Sequence, residues 1–218
     1  MGVPATTGKL ATSLSGMKVG DYVVCHYQAS SGIVGTFSNL GSAVGTEIPV
    51  SSTNAPNGIF YYIKVDKGLL IADRVIQHSI SWDTLNSGKY IQGKSQTFGS
   101  LIGKIRLLTG GVAYADENGN ISVTDLGFGA WPTNNEWDKY IVRFPSNLMQ
   151  SGSTLDDIFH SSSVIQTWTQ DTPSVSIFPS SNRVRRGYRD DNSYNGNGAS
   201  NTNVTSSGFR PAFEYKEV

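Results

Sequence analysis

The chain has 218 residues with 17 basic and 17 acidic side chains, so its formal charge is zero and no sequence-wide attraction to nucleic acid or to an anionic membrane is expected. Aromatics make up 11% of the residues and charged groups 16%, with 24 glycines, a mix that describes strands and loops and speaks against a helical bundle. The single cysteine, Cys25, excludes an internal disulfide and any multi-cysteine zinc site. The opening Met1-Gly-Val-Pro lacks a basic and an apolar segment, and no later stretch is long and apolar enough for a bilayer. The expectation is synthesis in the cytoplasm without a signal peptide and no membrane insertion.

The β-branched and aromatic run Asp21–Gln28 predicts a strand that ends at Ser30-Ser31-Gly32. Ile59–Val65, the turn Asp66-Lys67-Gly68 and Leu69–Ala72 predict a hairpin with glycine supplying the positive φ. Residues 38–57 between them read as loop. Residues 1–76 are therefore expected to form a small β module for attachment or positioning, and residues 77–218 a second domain in which short helices join the strands. Ser81 caps a short helix over Trp82–Asn86 that stops at Gly88. Val112–Val123 reads as strand, Asn118-Gly119 turn, strand. Thr133-Asn-Asn-Glu136 has the form of a capping box, and Trp137, Tyr140, Ile141 and Phe144 then fall on one helical face. Thr154–Phe159 predicts another short helix. The fold class expected overall is α+β and β-rich.

Residues 190–207 contain five asparagines and no Leu, Ile, Phe, Lys or Arg. Such a segment reads as a polar loop. It is bracketed by Arg183–Tyr188 and Gly208–Tyr215, both strand-like, and within them Arg185–Tyr188 and Phe209–Tyr215 are expected to be strands of one sheet. A polar loop held between ordered strands is a display loop.

Several motifs occur in a fixed order: Ile80-Ser-Trp82-Asp-Thr-Leu-Asn86, Ile105-Arg-Leu-Leu-Thr109, Pro132-Thr-Asn-Asn-Glu136-Trp137, Arg185-Arg-Gly-Tyr188 and Gly208-Phe-Arg-Pro-Ala212. In this order they resemble the C-type-lectin-like fold shared by formylglycine-generating enzymes and diversified phage receptor-binding proteins. Leu108 stands where that pattern has proline, and Tyr188 where it has a second glycine. The whole chain is similar to tail-associated and prophage proteins of Gram-positive bacteria through Ala72-Asp-Arg74, Trp82-Asp-Thr-Leu-Asn86, Asn135–Ile141 and the Phe-Arg-Pro ending. The resemblance implies a C-type-lectin-like recognition domain over residues 77–218.

Enzymatic readings find little support in these residues. Formylglycine generation needs reactive cysteines in the lectin-like domain, and the only thiol, Cys25, lies outside it in a predicted strand. His26, His78 and His160 have no metal-ligand spacing, no nucleophile elbow is present, and Asp156-Asp157 and Asp190-Asp191 are adjacent rather than convergent. The calcium motifs of C-type lectins are missing, and Asp116-x-Asn118-x-Asn120 is accounted for by the hairpin turn. No enzyme activity, no metal and no cofactor are expected. Arg106, Arg186 and Arg210 are assigned to structure, with acids such as Glu136 as partners.

Ligand-binding residues are placed in the tail loop: Tyr188, Arg189, Asp190, Asp191, Asn192, Ser193, Tyr194, Asn195 and Asn197, with Trp168 as a stacking platform. Tyr, Asn, Ser and Gly dominate adaptable paratopes because they give amphipathic area at low entropic cost. The function that follows is a receptor-binding or adhesion module on the surface of a phage tail tip, fibre or tail-like particle. Its partners would be a bacterial cell-surface glycan or protein and other particle proteins, in a homo-oligomer with a trimer favoured. The alternative is a structural decoration, baseplate or spore-surface protein without a ligand.

Overall fold

The computed structural model describes residues 2–162, 165–174 and 176–217. Its strands are β1 (Leu10–Ala11), β2 (Tyr22–Gln28), β3 (Thr36–Ser38), β4 (Asn57–Asp66), β5 (Leu69–Ala72), β6 (Gln77–His78), β7 (Lys94–Phe98) and β8 (Leu101–Arg106). They continue with β9 (Ala113–Ala115), β10 (Ile121–Ser122), β11 (Ala130–Trp131), β12 (Gln166–Trp168), β13 (Asn182–Arg186), β14 (Tyr194–Ala199), β15 (Ser207–Phe209) and β16 (Ala212–Tyr215). Two short α-helices, α1 (Trp82–Ser87) and α2 (Asp156–Phe159), accompany a π-helical turn at Asp138–Val142 and a 3-10 turn at Ser146–Leu148. The architecture is α+β and strongly β-rich.

An eight-stranded sheet runs in the order β1-β2-β4-β5-β16-β8-β7, with β3 added at β2. Strands β2 and β4 pair antiparallel from Tyr22↔Ile63 to Gln28↔Asn57. The hairpin to β5 turns at Gly68, whose φ is +66° and where an added Cβ would lie 2.4 Å from the Tyr215 carbonyl oxygen. Strand β5 is buried along its whole length, so its free edge needs a partner. The partner comes from the C-terminal end of the chain: β16 pairs β5 on one side and β8 on the other. The expected boundary between residues 76 and 77 therefore runs through one shared sheet rather than between two.

The central strands are buried on both faces, which is why β2, β4 and β5 read as continuous apolar runs instead of alternating ones. Val23, Cys25, Phe60, Tyr62, Leu70 and Phe213 point to one core, where Trp82, Leu85, Tyr90, Trp168 and Phe209 meet them. Tyr22, Val24, Tyr61, Ile63 and Ile71 point to the other, closed by Trp137, Ile141, Phe144, Ile158 and Phe159. Cys25 packs as a small hydrophobe, and burial pushes its thiol well above the ordinary range.

A five-stranded sheet, β14-β13-β12-β15-β6, stands beside the large one, and a three-stranded sheet, β10-β9-β11, adjoins it. Strands β13 and β15 flank β12 in the same sheet. The expectation that Phe209–Tyr215 shares a sheet with β13 holds only at Phe209, the last residue of β15. At Arg210-Pro211 the chain crosses into the large sheet as β16. Arg210 anchors this crossover: it is buried and donates to the carbonyls of Ala72 (3.0 Å) and Phe159 (2.6 Å) and to the Thr167 hydroxyl (3.2 Å).

Local signals for helices were met in part. Ser81 Oγ accepts from Thr84 N at 3.1 Å and starts α1 as its sequence predicts. At 154–159 Thr154 and Asp157 cap each other reciprocally. The box at Thr133–Glu136 does not form. Asn135 Oδ1 instead accepts from Asp138 N at 3.0 Å, and Glu136 is drawn to Arg106 by two bonds of 2.6 and 2.7 Å while also accepting from Thr109 N. A two-toothed charged pair outcompetes a neutral cap. The following turn is π-helical, and it still buries Trp137 and Ile141.

Candidate functional site

The polar tail is not an open loop. Tyr194–Ala199 forms strand β14, paired antiparallel with β13. Its sequence, Tyr-Asn-Gly-Asn-Gly-Ala, alternates buried with exposed or part-exposed positions, and glycine takes two of the buried ones. A Cβ at Gly196 would lie 2.5 Å from the Phe178 ring, and one at Gly198 would lie 2.7 Å from Trp168 and 2.8 Å from Arg185. Here glycine permits close packing of large neighbours rather than looseness. Composition alone predicted a loop because the inward-facing positions carry no side chain.

The turn between β13 and β14, residues 187–193, is tied down by its backbone. Trp137 Nε1 donates to the Asp191 carbonyl at 2.8 Å, Arg186 Nε to the Ser193 carbonyl at 3.0 Å, and Arg186 Nη2 to the Asn192 carbonyl at 3.3 Å. Gly187 N donates to the Ser193 carbonyl and Tyr188 N to the Ser161 carbonyl. Arg186 is itself fully buried, paired with Asp138 and bonded to the Gly110 carbonyl at 2.8 Å. With the backbone fixed from below, Tyr188, Arg189 and Asp190 are left exposed at the tip. Tyr188 has a φ of +110°, a conformation that glycine favours.

Beneath the tip lies a pocket of about 320 Å³. Its lining comes from β12 (Gln166), β13 (Arg185), β14 (Tyr194, Asn195), the turn (Gly187, Tyr188, Arg189, Ser193), Ser206 and, from the segment after β10, Asp125. Register explains the arrangement: Trp168 lies opposite Arg185, and Arg185 opposite Asn195, across three adjacent strands. The Arg185 guanidinium sits over the Trp168 ring at 5.3 Å, and its Nη1 donates to Ser207 Oγ at 2.7 Å. Burial lowers the Arg185 pKa from its ordinary value.

The predicted site residues divide accordingly. Tyr188, Arg189, Ser193, Tyr194 and Asn195 come together on the pocket. Asp190 is at the exposed tip, its carboxylate accepting from Ser193 Oγ. Asp191 is an anchor: its carboxylate accepts from the Ser161 hydroxyl, and burial raises its pKa against that hydrogen bond. Asn192 faces a neighbouring hollow with Phe128 and Thr133, and Asn197, exposed on the outer strand, accepts from Asn182 at 3.0 Å.

Two of the assignments need correction. Trp168 is 0% exposed, with Nε1 donating to the Ile80 carbonyl, so it supports Arg185 and offers no stacking platform of its own. The Tyr194 ring is buried against Tyr114, at a centroid distance of 4.9 Å, and with Phe178, so although it borders the pocket its main part is to pack the hairpin onto the small sheet. Strand alternation, which turns Tyr194 and Asn195 to opposite faces, is the reason.

Sequence reasoning missed Arg185, Gln166, Ser206 and Asp125. The pattern Arg183-Val-Arg185-Arg186 does carry a signal, since alternation sets Arg185 on the face opposite Val184 and Arg186. Which arginine has an acid within reach is settled only by the fold. Among the described residues the pocket lining offers amide, guanidinium and hydroxyl donors with one carboxylate, and no histidine or thiol. Among the described residues no three His, Cys, Asp or Glu side chains group as metal ligands. Asp116 accepts from the amides of Asn118 (2.9 Å) and Asn120 (2.7 Å), the geometry of a hairpin turn. No described helix is long and apolar enough to cross a membrane. Comparison with family models, with curated proteins and with solved structures finds no match to this chain.

Proposed function

We propose that this chain is a non-catalytic recognition module, displayed at the surface of a phage tail or tail-like particle, that binds a bacterial surface glycan or protein. The observation that carries the reading is the 187–193 turn: its backbone is bonded to buried Arg186 and Trp137, while Tyr188 and Arg189 stand free over a polar pocket. A rigid base with exposed aromatic and hydrogen-bonding side chains is the construction of a binding loop. The C-type-lectin-like resemblance of residues 77–218 and the homo-oligomeric assembly belong to the same proposal, since weak polar contacts gain from repeated display.

A second reading, a structural particle protein without a ligand, draws on one observation. Val123, Leu126 and Phe128, close to the pocket in sequence and space, are more than half exposed and would suit packing against a neighbour.

The test is binding of labelled protein to whole cells and isolated cell walls of a Gram-positive panel, for the wild type and for Tyr188→Ala/Arg189→Ala/Asn195→Ala. Interface hot spots are worth about 2 kcal/mol each, so loss of even one predicts at least a tenfold fall in affinity, with the melting temperature within a few degrees of wild type. Unchanged binding by the triple variant, or wild-type protein that binds no cells but self-associates through Leu126 and Phe128, would favour the second reading.

A further inference from the structure

We infer that the pocket beneath the 187–193 turn takes an anionic group, a carboxylate or a phosphate, carried on a surface polysaccharide. This rests on the recognition reading above and names the chemistry of its ligand.

The argument begins with how this protein treats its other buried cations. Arg74 is paired with Asp73 at 2.6 Å and Glu47 at 3.2 Å, Arg106 with Glu136 and Glu214, Arg186 with Asp138, and Lys64 with Glu217 at 2.6 Å. Arg210, with no acid in contact among the described residues, is surrounded by carbonyl oxygens. Arg185 departs from this rule. It is half-buried, yet among the described residues no carboxylate pairs with it. Among the described residues its side chain makes one hydrogen bond, to Ser207 Oγ, and its Nε is buried with no partner. A guanidinium has five N–H donors, so most of its capacity is unused.

Position turns this deficit into a site. Arg185 lines the pocket, and Arg189, which likewise has no acidic partner among the described residues, lines it too. Among the described residues the only carboxylate on the lining is Asp125, which is exposed and already accepts from Gly127 N at 3.0 Å. Two cations face one rim carboxylate, leaving the pocket with an excess of positive charge in a chain that is neutral overall. The Trp168 ring covers one face of the Arg185 guanidinium, which leaves in-plane N–H groups as its means of interaction, and in-plane pairing suits carboxylate and phosphate oxygens. Gln166 and Asn195 add carboxamides of the kind that bond hydroxyl groups. The volume of about 320 Å³ lies at the small end of ligand pockets, enough for one or two sugar units.

The test uses three polymers on a biosensor surface: a polyuronate, a poly(glycerol phosphate) and a neutral glucan. The expected result is binding to the polyuronate or the phosphate polymer, weakened by salt, with none to the glucan. Which of the two acidic polymers binds identifies the source of the charge. Arg185→Gln should lower that binding at least tenfold, and Arg189→Gln, a surface change that leaves the fold untouched, several-fold. Arg185→Lys keeps the charge but loses the fork, and should recover only part of the affinity. Failure of both acidic polymers, equal binding to the glucan, or full affinity in Arg185→Gln and Arg189→Gln overturns the inference. If cells are still bound and the Tyr188/Arg189/Asn195 variant still loses them, recognition stands and only the anionic ligand falls. If neither cells nor polymers are bound, both fall.

Discussion

Replacing Tyr188 by glycine should stabilise the protein relative to replacing it by alanine, an inversion of the usual order. At ordinary backbone angles glycine is less stable than alanine by about 0.5–1 kcal/mol, because the unfolded chain gains freedom. Tyr188 has φ +110°, in a region where a Cβ costs about 1–3 kcal/mol. Its backbone cannot relax easily, since its N–H is bonded to the Ser161 carbonyl at 3.1 Å and Gly187 before it sits at φ +80°, where a Cβ would be 2.5 Å from that same oxygen. Both variants remove the ring of this exposed residue, so lost packing cancels in the comparison. The difference between Tyr188→Gly and Tyr188→Ala should therefore be about 1 kcal/mol in favour of glycine, or about 2–4 °C in melting temperature for a chain of this size. Urea unfolding of the two variants, read by tryptophan fluorescence, measures it. If Tyr188→Ala proves the more stable, the turn does not hold this residue under strain. In the cell-binding assay both variants should be weakened alike, since each lacks the phenol ring.

Two further predictions concern buried charge. Asp73→Ala leaves the fully buried Arg74 without its 2.6 Å partner and frees the Tyr61 amide, so unfolding free energy should fall by about 3–5 kcal/mol, and a loss under 1 kcal/mol in denaturant titration would contradict the pairing. Asp171 has its pKa raised to about 6, chiefly by burial, against the amide hydrogen bonds from Gly110 and Gly111. A carboxyl raised in the folded state contributes stability that is fully present below its unfolded pKa of about 3.9 and is lost as pH rises through 6. Asp171→Asn removes that dependence, so its melting temperature should improve relative to wild type between pH 4 and pH 7, and a gap that widens against the variant as pH rises would refute the assignment.

The parts of the fold that were legible are those encoded over a few adjacent residues. The β4–β5 hairpin with its Gly68 turn, the Ser81 cap and the Asp116–Asn120 turn each follow from local chemistry. What could not be read depends on residues far apart in the chain. Strand β5 takes its second partner from β16, about 140 residues later, so the apparent division at residue 76 has no local signal against it. Glu136 looked like a capping residue because Arg106, its actual partner, is 30 positions away. The tail was read as a loop because it is rich in asparagine and lacks large apolar side chains, whereas in β14 glycine fills inward positions of a strand against large neighbours. The candidate site was legible in its outer half, Tyr188 to Asn195, where the side chains are polar and clustered. Its inner half, Arg185 and Gln166, sits on strands whose neighbours are fixed only by tertiary pairing.

The cost of binding at this site is set by how much the turn must be ordered. Fixing a free backbone residue costs about 1–2 kcal/mol, so a mobile loop of seven residues could forfeit most of what a few hydrogen bonds return. Here the carbonyls of Asp191, Asn192 and Ser193 and the amides of Gly187 and Tyr188 are already engaged with Trp137, Arg186, Ser161 and each other. Trp137 belongs to the core against the large sheet, flanked by Arg186 at 5.7 Å and Arg210 at 5.6 Å, so the tip is braced by the same residues that hold the two sheets together. Side chains at Tyr188 and Arg189 can then vary without disturbing what fixes their backbone. Such a design separates recognition from folding: substitutions at the tip should move affinity far more than stability, and substitutions at Trp137 or Arg186 should lose both together.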